Sequence, residues 1–458
     1  MEKYLYRPKN CFFGDCMPFY NKHDNLFYLY FQKDTRNPVP FGEPFGWELV
    51  TTSDFVHYKE YGEVLKKGSE EDHDEFVYAG SVFEQNNNIR AFYTGYNRNF
   101  VNKSCSSQVL MKASSKDGIH WYKDGLAKEL SPQTGYDSDN WRDPSIVWNP
   151  DNQEYILILG TRLVSDLKAK TGRLVYYTSK NSQDWTFKGD FWTPNLYTMI
   201  EMPQIFKIND WWYLVYSEYD LNKTTHYVMS KKITGPWLFP KQDTFNGRAY
   251  YAARTASDEK NRYLFGWVPS KEAGKDENNY LWGGTFLPLK ITQNNDGSLK
   301  TSIPDTLINT VSERYSFESQ KIKSKYKRTE TQLQGNQPKK HYLLKNKIVY
   351  EPGTKSFSLI FFENSDTKEG YEFNIDLNKQ QLSVRRTPNL RWYQMLNIGL
   401  SRQVNLVPNK EYDISLLIDD TIAVIEIAGV VLSCRVQKNT CYGLSFAVVD
   451  GIVQIKSV

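Results

Sequence analysis

Three carboxylates in the first half of the chain lie in similar local settings, each within three residues of a proline and beside a short apolar run. They are Asp15 in Gly14-Asp15-Cys16-Met17-Pro18, Asp143 in Arg142-Asp143-Pro144, and Glu201 in Glu201-Met202-Pro203. Acids that recur at the start of repeated strands can converge on a shared axis. Convergent carboxylates are what cleavage of a glycosidic bond requires, one as nucleophile or base and one as proton donor. The pattern therefore indicates a carbohydrate-cleaving site.

The same three acids also fit a purely structural role. Asp-Pro and Glu-x-Pro sequences commonly begin turns, and an Asp ahead of a strand often caps one. For any single member of the set, we favour that role. The sequence, however, places all three at equivalent positions of a repeat, where the two other copies carry Ser81 and Ala252 or Ala253. This recurrence favours a functional role.

A repeated pattern of short strands runs through about the first 300 residues. Each copy has an apolar strand, a polar turn, an aromatic strand and a Ser/Thr-rich strand, and the copies begin at Asp15, Ser81, Asp143, Glu201 and about Tyr251. Units of three or four short strands separated by turns are typical of propeller blades around a central channel. We therefore predict an all-β chain with a five-bladed β-propeller over residues 1–305, whose first strands line the channel.

The pattern changes beyond residue 305. Apolar residues alternate strictly with other residues from Tyr412 through Ile414 and Leu416 to Ile418, and a second alternation covers residues 444–448. Alternation of this kind indicates strands buried on one face, and none of them carries the repeated acid motif. The sequence predicts a β-sandwich over residues 306–458, packed on the propeller.

Composition narrows the class of protein. A chain of 458 residues exceeds what one hydrophobic core usually supports, which agrees with two domains. The net charge of +4 is too small for this length to indicate a nucleic-acid partner. An aromatic content of 15% suits both β blades and surfaces on which rings stack against sugars.

The cysteine content and the apolar stretches bear on the cellular compartment and on cofactors. The five cysteines are scattered without metal-ligand spacing, so we expect reduced thiols, no metal and no cofactor. The chain shows neither an apolar stretch of membrane-spanning length nor the apolar core of a signal peptide. We expect a cytoplasmic protein that binds neither membrane nor nucleic acid, and its oligomeric state is not set by the sequence.

The order and content of the motifs resemble those of glycoside hydrolase family 32, the invertase and β-fructosidase group, over essentially the whole chain. Arg142-Asp143-Pro144 is similar to the family's Arg-Asp-Pro motif, and Glu201-Met202-Pro203 to its Glu-Cys-Pro motif with Met in place of Cys. Residues 27–32, 52–58 and 78–81 are similar to its aromatic strand ending in Gln, its Ser-x-Asp-Leu-Val-His-Trp segment and its Phe-Ser-Gly-Ser motif. The resemblance implies a five-bladed propeller followed by a β-sandwich.

The resemblance also implies a role for each acid. Asp15 would be the nucleophile, Asp143 the transition-state stabiliser that grips sugar hydroxyls, and Glu201 the acid/base. The implied activity is that of a retaining β-fructosidase, which releases terminal fructose from sucrose or short fructo-oligosaccharides through a covalent Asp15 intermediate. A small carbohydrate is then the partner, and no cofactor is needed. The terminal fructose site would be lined by Gln32, Ser81 and Arg142.

Three further side chains are candidates for contact with the sugar. Trp47 and Trp282 offer rings for stacking, and Arg254 lies where it can reach the channel and contact hydroxyls. Each has an ordinary alternative role, which is packing within a blade for the tryptophans and an ion pair for the arginine.

The first motif departs from the family pattern, which usually reads Asn-Asp-Pro-Asn-Gly. Here the segment is Gly14-Asp15-Cys16-Met17-Pro18, so the Asn that helps bind fructose is absent and the proline is displaced. Two alternatives therefore stay open. One is an inverting arabinofuranosidase or xylosidase on a related five-bladed propeller, which also uses two Asp and one Glu. The other is a carbohydrate-binding propeller that has lost catalysis.

Overall fold

Strands form nearly all of the regular structure, which confirms the predicted all-β class. The computed structural model describes residues 3–37, 42–101, 105–220, 222–335, 338–388 and 400–458. Within these ranges the strands of the first part form a five-bladed propeller, and those of the second part form a β-sandwich. The five cysteines are free thiols. None of the helices in the described ranges is long and apolar enough to cross a membrane.

The propeller blades are antiparallel sheets of consecutive strands. Blade one holds β1 (Phe12–Asn21), β2 (Leu26–Asp34), β3 (Trp47–Thr52) and β4 (Lys59–Leu65). Blade two holds β5 (Phe76–Gln85), β6 (Asn88–Tyr96), β7 (Gln108–Ser115) and β8 (Trp121–Leu126). Blade three holds β9 (Arg142–Asn149), β10 (Glu154–Thr161), β11 (Arg173–Ser179) and β12 (Thr186–Trp192). Blade four holds β13 (Ile200–Ile208), β14 (Trp211–Glu218) and β15 (Thr225–Ser230). Blade five holds β16 (Tyr251–Ser257), β17 (Arg262–Lys271) and β18 (Tyr280–Gln293). A further strand, β19 (Leu299–Ser302), pairs with β18.

The innermost strands form a closed ring around the channel, as the sequence predicts. Strand β1 contacts β5 and β16, strand β9 contacts β5 and β13, and β13 contacts β16. Blades five and one are also joined edge to edge, because β18 pairs with β1 where Phe13 lies opposite Gly284. The ring is therefore closed by hydrogen bonds between the last blade and the first.

Each innermost strand is interrupted by a β-bulge at the same height. Pairing with the second strand of the blade breaks between residues 13 and 16, 77 and 80, 142 and 145, 201 and 204, and 251 and 254. A bulge leaves residues outside the hydrogen-bond ladder and turns their side chains in new directions. Pro144 and Pro203 lie inside two of these bulges, where the missing N–H of proline breaks no ladder bond.

The second part begins after a short helix, α1 (Asp305–Thr310). Short 3₁₀ turns occur at Arg98–Phe100, Lys128–Leu130, Leu167–Ala169 and Glu272–Gly274. The sandwich strands are β20 (Arg314–Tyr315), β21 (Gln320–Gln332), β22 (His341–Tyr350), β23 (Ser356–Glu363), β24 (Gly370–Asp376), β25 (Gln381–Thr387), β26 (Ser401–Gln403), β27 (Tyr412–Asp419), β28 (Ile422–Ile427), β29 (Val430–Arg435) and β30 (Gly443–Ser457). The predicted domain division at residues 305 and 306 stays a prediction.

One strand connects both layers of the sandwich. The first part of β30, residues 443–449, pairs with β23, and residues 453–457 pair with β22. Between the layers lies a core of apolar side chains that includes Phe357, Leu416 and Phe446. In β27, Ile414, Leu416 and Ile418 face this core, as their alternation predicts. Leu417 on the other face is buried as well, in a cluster shared with the propeller, so the strand is not half-buried as the sequence indicated.

The sandwich packs against blade five and the segment before it through polar contacts. Arg435 donates from Nε to the carbonyl oxygen of Pro269 at 2.6 Å and from Nη2 to Thr285 Oγ1 at 2.7 Å. The backbone N–H of Ser433 donates to Asn246 Oδ1 at 2.9 Å. These contacts fix the side of the propeller to which the sandwich is attached.

Candidate active site

The three predicted catalytic acids lie on the innermost strands β1, β9 and β13, at or inside the bulges. They are not at equivalent positions, contrary to the expectation from the sequence. Glu201 is the last paired residue before its bulge, Asp143 comes one residue after that point, and Asp15 two residues after it. The bulges, rather than a strict repeat, therefore bring the acids to one funnel.

The Asp15 carboxylate is partly buried and is held by two side chains. Trp267 donates its indole N–H to Oδ1 at 3.0 Å. The Gln32 amide, oriented to satisfy both of its neighbours, donates to Oδ2 at 3.3 Å and accepts a backbone N–H from β5 at 2.6 Å. Burial and the nearby charges of Asp143 and Glu201 raise the pKa of Asp15 from 3.8 to about 8. Asp15 therefore retains a proton near neutral pH in the free protein.

Both oxygens of Glu201 have hydrogen-bond donors. Arg142 donates to Oε1 from Nη2 at 2.7 Å and from Nε at 3.3 Å, and Tyr251 donates to Oε2 at 2.6 Å. Arg142 is itself fixed by Asn140, whose Oδ1 accepts from Nη1 at 2.7 Å. The carboxylate is thus held by one cation and one phenol in a set orientation.

Asp143 adopts a strained backbone conformation with φ of 62°, which is uncommon for a residue with a side chain. Its N–H donates to Thr94 Oγ1 at 2.9 Å, and its Oδ2 accepts the backbone N–H of Met202 at 3.0 Å. Burial raises the pKa of Asp143; the Arg142 guanidinium opposes that rise, and the Glu201 charge adds to it. The two bonds tie the bulge of β9 to blades two and four.

Arg254 is fully buried and bonds to the backbone of two other blades. Its guanidinium donates to the carbonyl oxygens of Gly80, of Asp143 at 2.8 Å and of Pro144 at 3.5 Å. Burial lowers its pKa to about 10. The side chain was predicted to contact sugar hydroxyls, but each of these hydrogen bonds goes to the framework of the funnel. Its contact with sugar stays a prediction that these bonds do not support.

Trp47 does not join the acids. Its ring is 0% exposed and packs against Tyr30 and Tyr93, and its indole N–H donates to the Tyr78 carbonyl oxygen at 3.0 Å. The indole therefore has no free face for a sugar, and the packing alternative describes its position.

Trp282 and Ser81 lie closer to the funnel. Trp282 is half-buried and meets Trp267 edge to face, with ring centres 6.2 Å apart. Ser81 follows Gly80, where the bulge of β5 ends. Its buried Oγ has no hydrogen-bond partner among the described residues. A buried hydroxyl without a partner is available to a ligand.

Tyr251 and Thr94 are site residues that the sequence analysis did not identify. Tyr251 occupies in blade five the position that Glu201 occupies in blade four, so the repeat itself carried a signal for it. No feature of the sequence indicated Thr94, because its contact with Asp143 depends on the bulge. Across the described residues, no group of three His, Cys, Asp or Glu side chains is arranged to hold a metal ion.

Fold and site together define a five-bladed propeller with a carboxylate-lined funnel, joined to a β-sandwich. Residues 7–301 match the model described as "Glycosyl hydrolases family 32 N-terminal domain". The chain belongs to glycoside hydrolase family 32, as the motif resemblance implied.

Sequence identity to individual relatives is low. A sucrose-6-phosphate hydrolase of Vibrio alginolyticus is 25% identical over 310 residues, which cover 63% of this chain and 60% of that protein. The chain thus matches less than two thirds of this relative's length. A fructan 1-exohydrolase IIa variant from Cichorium intybus in complex with 1-kestose has a similar fold, with a TM-score of 0.78, 15% identity and coverage of 100% and 96% of the two chains. The solved structure of the sucrose-6-phosphate hydrolase of Lactobacillus gasseri has a TM-score of 0.75 and 18% identity, with coverage of 99% of this chain and 92% of that chain.

Proposed function

We propose that the protein is a retaining β-fructosidase that releases terminal fructose from sucrose or short fructo-oligosaccharides. The observation that carries the proposal is the convergence of Asp15, Asp143 and Glu201 on one funnel, where Asp143 is buried and the other two acids are partly buried. Asp15 accepts from a tryptophan and an amide, and the charge of Arg254 opposes the rise of its pKa, whereas Glu201 is held by Arg142 and Tyr251. The assignment of Asp15 as nucleophile and Glu201 as acid/base follows the order of the family's motifs.

The reaction proceeds in two displacements. Asp15 attacks the anomeric carbon, the glycosidic bond breaks, and Glu201 gives its proton to the departing oxygen. The product of this step is a fructosyl ester on Asp15. Glu201 then takes a proton from water, which attacks the same carbon and frees Asp15 and fructose. The configuration at the anomeric carbon is retained because it is inverted twice.

The first step needs Asp15 ionised and Glu201 protonated. The charges of Asp143 and Glu201 raise the pKa of Asp15, so the loss of negative charge from either neighbour favours ionisation of Asp15. Asp143 binds sugar hydroxyls, and Gln32 and Ser81 line the terminal sugar site.

Covalent catalysis is tested with Asp15→Ala and added azide. We expect turnover of sucrose to fall by at least about 10⁴-fold, because the nucleophile is lost. Azide should restore reaction and give a fructosyl azide of inverted configuration, since the small anion replaces the missing carboxylate. Unchanged turnover in Asp15→Ala, with the melting temperature preserved, would contradict the proposal.

The substrate is tested on a panel of sucrose, sucrose 6-phosphate, 1-kestose and the nitrophenyl furanosides of fructose and arabinose. Release of fructose with retention in methanol transfer products supports the proposal. Release of pentose with inversion would instead establish the arabinofuranosidase or xylosidase alternative. Saturable binding without product would establish the inactive binding propeller. The cytoplasmic location stays a prediction.

A further inference from the structure

Basic side chains cluster around the ring of Tyr280, where blade five meets the sandwich. The Lys271 ammonium lies 5.1 Å from the ring centre, and the central carbon of the Arg248 guanidinium lies 6.0 Å from it. Lys271 and Tyr280 are opposite each other on β17 and β18, and Tyr280 also packs against the core of the sandwich. Two cations are thus held at one aromatic ring.

Asp276, the buried acid next to Lys271, is engaged by several donors. Its Oδ1 lies 3.7 Å from Lys271 Nζ, and its carbonyl oxygen accepts from the same ammonium at 2.8 Å. The carboxylate also accepts the backbone N–H of Gln437 at 2.8 Å and the hydroxyl of Tyr371. Glu277, another acid that acts on Lys271, is exposed. Asp276 therefore serves Lys271 and the sandwich.

Arg248 has no counter-ion in the part of the chain that the structure describes. Its half-buried side chain makes neither a hydrogen bond nor an ion pair there, and its contact is with the Tyr280 ring. Arg435 adds a third positive charge that acts on Tyr280. Burial lowers the pKa of Arg435 to about 10 and also lowers the pKa of Lys271. The positive charge is therefore incompletely compensated, and a bound anion would stabilise it.

The hydroxyl of Tyr280 points to the same kind of ligand. It is buried and has no hydrogen-bond partner among the described residues. Burial raises the pKa of Tyr280, and the charges of Arg248 and Arg435 oppose that rise. The phenol therefore keeps its hydrogen near neutral pH and can donate it. A buried donor without a partner, close to uncompensated cations, is suited to an anionic acceptor.

The cluster lies near the funnel but outside the set of acids. Tyr280 precedes Trp282 by two residues on β18, which is about 7 Å along an extended strand. Trp282 meets the ring of Trp267, whose indole N–H donates to Asp15. A ligand bound at the cluster therefore does not need to occupy the reaction centre.

We propose that Arg248, Lys271 and Tyr280 form a binding site for phosphate, either as the free ion or as the phosphoryl group of a sugar phosphate. The guanidinium and the phenol supply directed donors to the phosphate oxygens, and the ammonium supplies charge. The inference is independent of the proposed function, because none of the described contacts of these three residues is with a catalytic acid.

The test is calorimetric titration of the full chain, in a buffer without oxyanions, with inorganic phosphate and with glucose 6-phosphate. We expect saturable binding of at least one of the two. Arg248→Gln should weaken it by about tenfold or more, since a charge-assisted contact is lost. Arg248→Lys keeps the charge without the planar fork and should lie between Arg248→Gln and wild type. Tyr280→Phe keeps the ring and should weaken binding by about threefold to tenfold.

Arg385→Gln is the matched control, because Arg385 is exposed on β25 of the sandwich and the change removes the same charge. It should stay within about threefold of wild type, as expected for a charge outside the site. Tighter binding of glucose 6-phosphate than of phosphate would identify a sugar-borne phosphoryl group as the ligand, and the reverse order would identify the free ion. The inference is overturned if wild type binds neither ligand, or if Arg385→Gln weakens binding as much as Arg248→Gln. Wild-type affinity in both Arg248→Gln and Tyr280→Phe would also overturn it.

Discussion

Tyr251 donates its phenolic hydrogen to Oε2 of Glu201 at 2.6 Å, and the two residues hold the same position in adjacent blades. Each is the last paired residue before the bulge of its innermost strand. One copy of the repeat thus supplies the carboxylate, and the next supplies the donor that orients it. The same position in two adjacent blades thus holds two complementary chemical groups.

Removal of that donor is expected to impair the reaction more than the fold. In Tyr251→Phe, Glu201 keeps Arg142 but loses the bond to Oε2, so its orientation toward the leaving oxygen is less fixed. We expect kcat/KM to fall by about tenfold or more, since one charge-assisted hydrogen bond is lost. Steady-state kinetics and thermal unfolding measure the two effects separately.

The adjacent Tyr250 is the control for this change. Its hydroxyl donates to the carbonyl oxygen of Leu287 at 3.1 Å within the core of blade five. Tyr250→Phe should lower the free energy of unfolding by about 1 kcal/mol and leave kcat/KM intact. Equal activity losses in the two variants would mean that Tyr251 acts only through the fold.

The free energy of unfolding should depend on pH in a way that reveals the protonation of Asp15. Its pKa is raised from 3.8 to about 8 on folding, chiefly by burial. The stabilising effect of its proton is fully present below pH 3.8 and is lost as the pH rises toward 8, because the unfolded chain releases the proton first. Asp15→Asn lacks this loss, so it should become progressively more stable than wild type between about pH 4 and 8.

Urea unfolding at a series of pH values measures this difference. Ionisable groups away from the funnel are shared by both proteins and cancel in the comparison, whereas Asp143 and Glu201, whose charges act on Asp15, contribute to the measured difference. Asp151→Asn, at an exposed turn of blade three, controls for the removal of a carboxylate. A stability difference that stays constant across the range would show that Asp15 is ionised at neutral pH.

Arg254 should matter for the integrity of the funnel. In Arg254→Met, the carbonyl groups of Gly80 and Asp143 lose a buried donor. We expect the free energy of unfolding to fall by about 3 kcal/mol, as for other buried charged groups that lose their partner. Denaturant unfolding measures this loss.

Arg262→Met is the comparison for this variant. Arg262 is also largely buried, but its guanidinium donates to Thr255 of its own blade at 2.8 Å. Its contact with blade four is to the Phe206 ring rather than to backbone carbonyl oxygens. It should lose less stability than Arg254→Met. The reverse order would refute the bridging role of Arg254.

Thr94 is expected to hold the strained conformation of Asp143. Thr94→Val keeps the shape of the side chain but leaves the buried N–H of Asp143 without an acceptor, at a cost of about 1–3 kcal/mol. Activity should fall with stability, because Asp143 can then leave its left-handed conformation. Thr94→Ser restores the hydroxyl and should recover most of both properties. Failure of serine to restore activity would point to packing of the threonine methyl group instead.

The sequence predicted the blades well because their periodicity is local. Polar turns between aromatic strands recur along the chain, so the fold class and the positions of Asp15, Asp143 and Glu201 on innermost strands followed. The different positions of the three acids relative to their bulges could not be predicted, since a bulge adds residues without changing the local pattern of apolar positions. The hydrogen-bond partners of Arg254 could not be predicted either, because they are backbone carbonyl oxygens of blades two and three. Tertiary contacts of this kind leave no trace in residue type.

The pairing of β18 with β1 has a consequence for how the molecule matures. Phe13 finds its partner Gly284 only after most of the propeller has been synthesised. During translation the strand that carries Asp15 therefore emerges before β18, and its edge at Phe13 stays unpaired until the last blade is made. A chain interrupted before β18 lacks the strand that joins blade five to blade one, so the funnel around Asp15 stays open at that junction.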